Sequence, residues 1–271
     1  MNYRHAFHAG NFADVVKHLA LVSVLRHLRR KEAPFVVIDS HAGRGAYDLD
    51  GEEARRTGEA ATGAAKLSGL RSELPSLAAY IESLQENRHY PGSPLIAARL
   101  LRPQDRLVAI EKQPEEAAAL AEVLGPFPNG RAEHGDGYVR LAALLPPPER
   151  RGVVLIDPPY EDAGEFTAVG RAFAAALHRF ATGTYLIWFP LKSRAAANGL
   201  CGEVLAAGAK KVLRLDLALA GANEQRLTAA GLVVVNPPYG FEAEMRAALG
   251  ELLPRLGGSA QARVDWLAGG E

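Results

Sequence analysis

The sequence is poor in the residues that staple, anchor or span. It contains one cysteine, Cys201, which excludes both a disulfide framework and a thiolate zinc site. No apolar run approaches the length of a membrane span, and the polar start, residues 1–10, does not read as a signal peptide. A soluble cytoplasmic protein is therefore expected. Charge of one sign is also missing, since acidic and basic residues number 31 each. That excludes a protein coating nucleic acid through an overall basic surface; any such contact would need a local patch. No fixed-period repeat and no low-complexity tract occurs. His5, His8, His18 and His41 lack His-Glu-x-x-His or Cys–His spacing, so no metal is expected. Gly58 and Gly63 are followed by Ala64-Ala65-Lys66, whereas a P-loop places lysine directly after its second glycine. A Gly-x-Ser-x-Gly nucleophile turn is absent too.

What is present is 271 residues, nearly half of them apolar, enough for one sizeable core over 1–271. The first element reads as a helix over 11–30, with Asn11 as N-cap and Asp14 at N3. Val15, Leu19, Val22 and Leu25 form its apolar stripe, and Arg26, His27, Arg29 and Arg30 suit its negative end. On that helix His18 and Lys17 read as surface groups, His18 four residues after Asp14. Seven strands follow, over 35–39, 107–111, 131–135, 153–157, 184–189, 211–217 and 232–236. The first, second and fourth are continuous apolar runs ending in an acid, as strands covered on both faces do. Helical stretches such as 114–124, 165–180 and 195–207 alternate with them, which indicates a doubly wound α/β fold. In such folds a ligand sits beyond the carboxyl ends of the strands. The spacing between the first two strands is too long for one crossover, and 47–87 reads as a small helical insertion. It carries helical patterns at 52–72 and 76–86 and a hinge at Asp50-Gly51-Glu52.

Asp157-Pro158-Pro159-Tyr160 carries the most chemistry. Two prolines cannot continue a sheet, so the chain turns there and leaves carbonyls free to accept hydrogen bonds. Methylation of a conjugated amine such as adenine N6 needs this. The aspartate and a neighbouring carbonyl accept the amine hydrogens and localise the lone pair, while the tyrosine stacks on the base. The plain alternative is a rigid strand-end turn. A second copy, Asn236-Pro237-Pro238-Tyr239, follows the last strand, expected antiparallel and pointing away from the ligand, and is read as structural.

The loop Asp39-Ser40-His41-Ala42-Gly43-Arg44-Gly45 allows close backbone approach by a ligand. Glu111 is placed to accept ribose hydroxyls, and Asp136-Gly137 to read an adenine edge. Ser93-Pro94 reads as an N-cap and N1 pair opening a helix whose amides suit a carboxylate.

Residues 1–18, MNYRHAFHAGNFADVVKH, with 39–47 and 157–161, resemble the RlmJ family of 23S rRNA adenine-N6 methyltransferases. The resemblance extends over the whole chain, including Tyr90-Pro91-Gly92-Ser93-Pro94; the N-terminal arm is its specific part. It implies a Rossmann-like class I methyltransferase with a seven-stranded, mostly parallel sheet and a helical insertion after the first strand. The cofactor would be S-adenosyl-L-methionine, held by His18, His41, Gly43, Ser93, Glu111, Asp136, Gly137 and Asp157. Asp157, Pro158 and Tyr160 would act at the target amine, and Tyr3, His5 and Lys17 would meet the RNA. His41 stands where most methyltransferases have glycine, a departure the family shares. The expected partner is 23S rRNA, protein-free or in an early assembly intermediate, met by a monomer with no membrane and no metal.

Three rival readings remain open at this point. A DNA adenine methyltransferase would use the same motif. A nicotinamide dehydrogenase would want a third glycine and an acid about twenty residues on, where Glu111 lies much further away. A non-catalytic module would keep cofactor and RNA binding without turnover. With no net charge, RNA affinity should rest on local arginines and weaken as salt rises; a flat affinity against salt in an RNA titration would refute this.

Overall fold

A computed structural model describes residues 9–49, 51, 58–85, 89–162, 164–219, 227–257 and 259–270. Tyr3 and His5 of the arm, and Asp50 and Glu52 of the expected hinge, lie outside them. Helix α1, Phe12–Leu28, begins where the capping chemistry predicts: the Asn11 side chain accepts from the amides of Ala13 and Asp14. Asp14 reaches back to accept from the Gly10 amide at 2.9 Å.

Seven strands match the expected ones. They are β1 Val36–Asp39, β4 Arg106–Glu111, β5 Gly130–His134, β6 Gly152–Ile156, β7 Thr184–Pro190, β8 Val212–Ala218 and β9 Ala229–Val235. Two short strands, β2 Ala46–Tyr47 and β3 Tyr90–Pro91, pair with each other. An eighth sheet strand, β10 Gln261–Ala268, was not foreseen. It lies on the sheet edge beside β8, where Ala262, Val264 and Trp266 alternate with Arg263 and Asp265, a short period-2 pattern that the sequence reading passed over. The order across the sheet is β5-β4-β1-β6-β7-β9-β8-β10. The first five are parallel and the last three antiparallel to their neighbours. β1 therefore stands between β4 and β6 at the point where the winding reverses, and the acids Asp39, Glu111 and Asp157 meet at one rim.

The strand residues alternate between two cores. Val37, Leu107, Val153 and Leu155 face α1, while Val36, Ile38, Val108 and Ile156 face helices α5 Gly137–Leu144, α6 Glu165–Arg179 and α7 Arg194–Ala206. The first core also holds α2 Pro75–Gln85, α3 Ser93–Leu100, α4 Pro114–Leu124 and α8 Phe241–Leu256. Because α1 lies between the sheet and α2, every residue from Phe12 to Leu25 is buried, in place of one apolar stripe. The surface positions expected for Lys17 and His18 are thereby corrected: they are 3% and 1% exposed.

Between β1 and β4, the helix expected over 76–86 forms as α2. The one expected over 52–72 is replaced, within the described residues, by two 3-10 turns, Glu59–Thr62 and Ala64–Leu67. Gly58 adopts φ +62° and Gly69 φ +71°, both incompatible with a continuous helix. Gly63 presses on the start of α1: a Cβ there would lie 2.2 Å from the Asn11 carbonyl carbon. Gly63→Ala is therefore expected to destabilise the fold by about 1–3 kcal/mol. An unchanged midpoint in urea unfolding would contradict this packing.

Candidate active site

Beyond the carboxyl ends of β1, β4, β5 and β6 lies a cleft walled by Lys17, His18, His41, Gly43, Ser93, Glu111, Asp136, Gly137 and Asp157. All the expected cofactor positions thus converge, together with Lys17. Pro158 and Tyr160 stand behind this wall, and Pro159 takes part in it.

The centre is an ion pair carried by α1. Lys17 Nζ bonds Asp14 Oδ1 at 2.7 Å and Asp157 Oδ2 on the other side. Burial works against the lysine's charge, but the two carboxylates more than reverse it and raise its pKa above the ordinary value. The ammonium fixes the rotamer of Asp157, whose Oδ1 is bonded by no described residue. Lys17, expected at the RNA, is thus a buried partner of the motif aspartate.

Asp39 has no water to stabilise its charge, so burial pushes its carboxyl up to about 6, against a hydrogen bond from Ser93. That bond corrects the reading of Ser93. Gly92 is the N-cap of α3 and Ser93 its first helical residue, whose Oγ donates to Asp39 Oδ2 at 2.6 Å. The glycine loop is tied down at Glu111, which accepts from the amides of Gly43 at 2.9 Å and Gln113 at 2.7 Å. Arg44 grips Glu116 through two bonds, 2.8 and 2.6 Å. Gly137 is required because a Cβ would fall 2.0 Å from the Ser40 carbonyl oxygen. Asp136 caps α5 and also meets Lys112 at 3.0 Å; burial opposes its ionisation, and these donors outweigh it and lower its pKa. Burial pushes His41 down to about 4, so its imidazole is neutral at neutral pH. Its ring meets the edge of Tyr138 at 4.9 Å.

Tyr160 sits at φ +51°, an uncommon conformation for a bulky residue. Its hydroxyl donates to the Trp188 carbonyl at 2.7 Å, and its ring packs 4.6 Å from Phe166. Those contacts hold the turn after Pro159. By contrast, Asn236 lies at the other end of the sheet, where its side-chain amide donates to the carbonyls of Ala181 and Gly183. Sequence reasoning missed Asp14, Tyr47, Tyr138 and Glu165; Tyr47 pairs with Tyr90, and Tyr138 bonds Glu165, across different elements. Only Asp14, three residues from Lys17 on one helix, left a local signal.

Seven carboxylate side chains line the cleft against two ammonium groups, Lys17 and Lys112. Such a wall repels a pyrophosphate and suits a ligand that carries positive charge. Backbone amides at Gly43 and at the start of α5 lie beside the acids. This donor set fits a sulfonium nucleoside and disfavours a dinucleotide.

The sheet order, with the winding reversal at β1 and an Asp-Pro-Pro-Tyr turn after β6, defines a Rossmann-like methyltransferase. Residues 32–268 match the model of the family described as Ribosomal RNA large subunit methyltransferase D, RlmJ. The chain is 40% identical over 277 residues to the ribosomal RNA large subunit methyltransferase J of Escherichia coli (strain K12), covering 98% of this chain and 99% of that one. Its identity to the protein of that name from Haemophilus influenzae (strain ATCC 51907 / DSM 11121 / KW20 / Rd) is 39% over 282 residues, with the same coverage. Among solved structures, protein LPL1258 from Legionella pneumophila str. Philadelphia 1 is 34% identical with a TM-score of 0.87, covering 96% of this chain and 98% of that chain. The chain belongs to the RlmJ family of ribosomal RNA methyltransferases, and its methyl donor is S-adenosylmethionine.

Asp39 supplies a test of this electrostatic arrangement. A carboxyl raised from 3.8 to about 6 on folding adds stability that is complete below its ordinary value and lost as pH rises through the raised one. Asp39→Asn abolishes that dependence. From about pH 3.5 to about pH 7 the unfolding free energy of the wild type should fall by about 3 kcal/mol relative to the variant. Parallel urea-derived curves would refute the raised ionisation.

Proposed function

We propose that this protein methylates the exocyclic N6 amine of a specific adenosine in 23S rRNA. The observation that carries the reading is Asp157. It stands at the cleft with Oδ2 held by Lys17 and Oδ1 bonded by no described residue. Adenine N6 is a poor nucleophile because its lone pair is delocalised into the ring. Asp157 Oδ1 accepts one amine hydrogen and the Pro158 carbonyl the other, which draws the lone pair out of conjugation. S-adenosylmethionine, when bound, supplies an electrophilic methyl group on a sulfonium, whose S–C bond breaks to leave the neutral thioether S-adenosylhomocysteine. The nitrogen sheds one proton as the N–C bond forms. A cation with no conjugated lone pair is strongly acidic, so a carboxylate paired with Lys17 is base enough to receive it.

Glu111 accepts from the ribose hydroxyls, Asp136 and Gly137 read the adenine edge of the donor, and His18, His41, Gly43 and Ser93 complete its site. Tyr160, anchored through Trp188 and Phe166, supports from behind the turn at which the target base docks. Tyr3 and His5 reach the RNA, while Lys17 serves it indirectly through Asp157. The substrate is protein-free rRNA or an early assembly intermediate, met in the cytoplasm by a monomer. Among the described residues no helix is long and apolar enough to cross a membrane.

Labelled methyl transfer to protein-free rRNA, followed by nucleoside analysis, tests the reading. Wild type should yield N6-methyladenosine, and Asp157→Ala should lose at least about a hundredfold in rate. Label in DNA of matching sequence but not in RNA would favour a DNA enzyme. Label at another atom of rRNA would refute the N6 assignment.

A further inference from the structure

The cleft does not itself attract a polyanion. Seven carboxylates face two ammonium groups there, so the phosphates of an approaching RNA are repelled. Positive charge is gathered instead at the far end of α1, around a groove of about 380 Å³ between that helix, the start of α2 and the first turn of α8. The cations that line it are Arg26, Arg29, Arg30 and Arg102, and its acids are Glu32 and Glu244. Arg26 stands nine residues beyond Lys17, about 14 Å along the helix axis.

Arginines at a helix C-terminus ordinarily serve its unpaired carbonyls. Here other side chains fill that role. Arg102 donates to the carbonyls of Lys31 and Ala33, at 2.8 and 3.2 Å, and Arg151 donates to those of Leu28 and Ala33. Both guanidiniums lie over Phe35, 5.6 and 5.9 Å from its ring centre, and Arg102 is bound to Asp105. Glu244 is engaged as well, since Ser23 and Ser76 donate to its two oxygens at 2.7 and 2.5 Å. Arg26, Arg29 and Arg30 are left over: among the described residues, none bonds their guanidiniums. Arg29 and Arg30 are exposed and Arg26 is half-buried. At spacings of three and four residues they stand on one side of the helix end, and all three line the groove. Their field reaches His27. Burial, and then the charges of Arg30, Arg151 and Lys31, hold its pKa below the ordinary value against the pull of Glu244.

We infer that this groove is a docking surface for the phosphate backbone of the substrate RNA, held by Arg26, Arg29 and Arg30 at the end of α1 remote from the cleft. The inference rests on the rRNA substrate proposed above, and not on which of its atoms is methylated. Guanidiniums suit this partner because each can meet a phosphate with two parallel N–H bonds. Two of the three are exposed and none is fixed by a partner, which suits a backbone of repeated phosphates and not one enclosed anion. Such contacts position an RNA without reading its sequence. They complement a cleft that repels the strand it must receive. The separation from Lys17 is short beside the roughly 16 base pairs that a duplex-binding module spans, so one folded RNA can reach both places.

Filter binding of labelled, protein-free 23S rRNA over a range of salt concentrations tests the surface. Arg29→Gln/Arg30→Gln removes two exposed cations, and an unchanged urea midpoint checks that the fold is kept. Its rRNA affinity should fall about five- to twentyfold at low salt, and the slope of log affinity against log salt should shrink by about 1.5. KM for rRNA should rise in step. Arg29→Lys/Arg30→Lys, which keeps the charge, should recover most of the loss. Arg171→Gln/Arg263→Gln removes equal charge from exposed positions on α6 and β10 and should stay within about twofold of wild type. Equal affinity and slope for wild type and Arg29→Gln/Arg30→Gln would overturn the inference. So would an equal loss in the Arg171/Arg263 pair, or failure of the wild type to bind. The expected losses in binding, without methyl transfer to rRNA by the wild type, would instead remove the proposed reaction and leave an RNA-docking surface.

Discussion

A protonated lysine held away from water between two carboxylates is the constraint on which the rest of the site depends. Asp14 Oδ1 and Asp157 Oδ2 both bond Lys17, and Asp14 also receives the Gly10 amide that precedes α1. Helix entry and the Asp157 carboxylate thus share one network. Leaving one member of such a buried set unpaired costs about 3–5 kcal/mol, so α1 cannot slide or rotate without a large penalty. That rigidity sets the position of Asp157 far better than its own loop, which carries two prolines and an exposed Pro159, could do.

The same network explains where the sequence could be read and where it could not. Strand ends were legible because a buried apolar run that stops at an acid is a local pattern; β1, β4 and β6 all show it. The capping of α1 by Asn11 was equally local. The helix pattern alone left Lys17 and His18 open between surface and site because their distant partners, Asp157 and Tyr90, lie 140 and 72 residues away. No window around α1 distinguishes a solvated lysine from a paired one. Ser93 looked like a cap because a serine before proline is the usual signature; the distant carboxylate of Asp39 decided its role instead. The edge strand β10 was legible but passed over: Ala262, Val264 and Trp266 alternate with Arg263 and Asp265, a run kept short by the apolar Leu267 that breaks the alternation. The aromatic arm at the start of the chain, by contrast, has no readable periodicity, and its weight came from resemblance alone.

A chain with balanced charge nonetheless builds a markedly acidic cleft. Neutrality is therefore an average over unlike faces, with seven carboxylates gathered at the cleft and arginines such as Arg102 and Arg151 held away from it. Arg102 and Arg151, for example, satisfy the carbonyls that follow α1, donating to Ala33 and Lys31. Part of the arginine content is thus structural, which limits what the composition says about RNA.

The small ladder of β2 and β3 has a wider bearing. Tyr47 pairs with Tyr90 and Ala46 with Pro91, so the chain leaves the glycine loop and returns to it at adjacent points. The entropy of closing that excursion depends only weakly on its length. The loops between the two strands, apart from Gly63 and α2, which pack on α1, can change in length while β1, β4 and the glycine loop stay where they are. A change of length in that excursion is thereby absorbed locally, without being passed to the strands that carry Asp39 and Glu111.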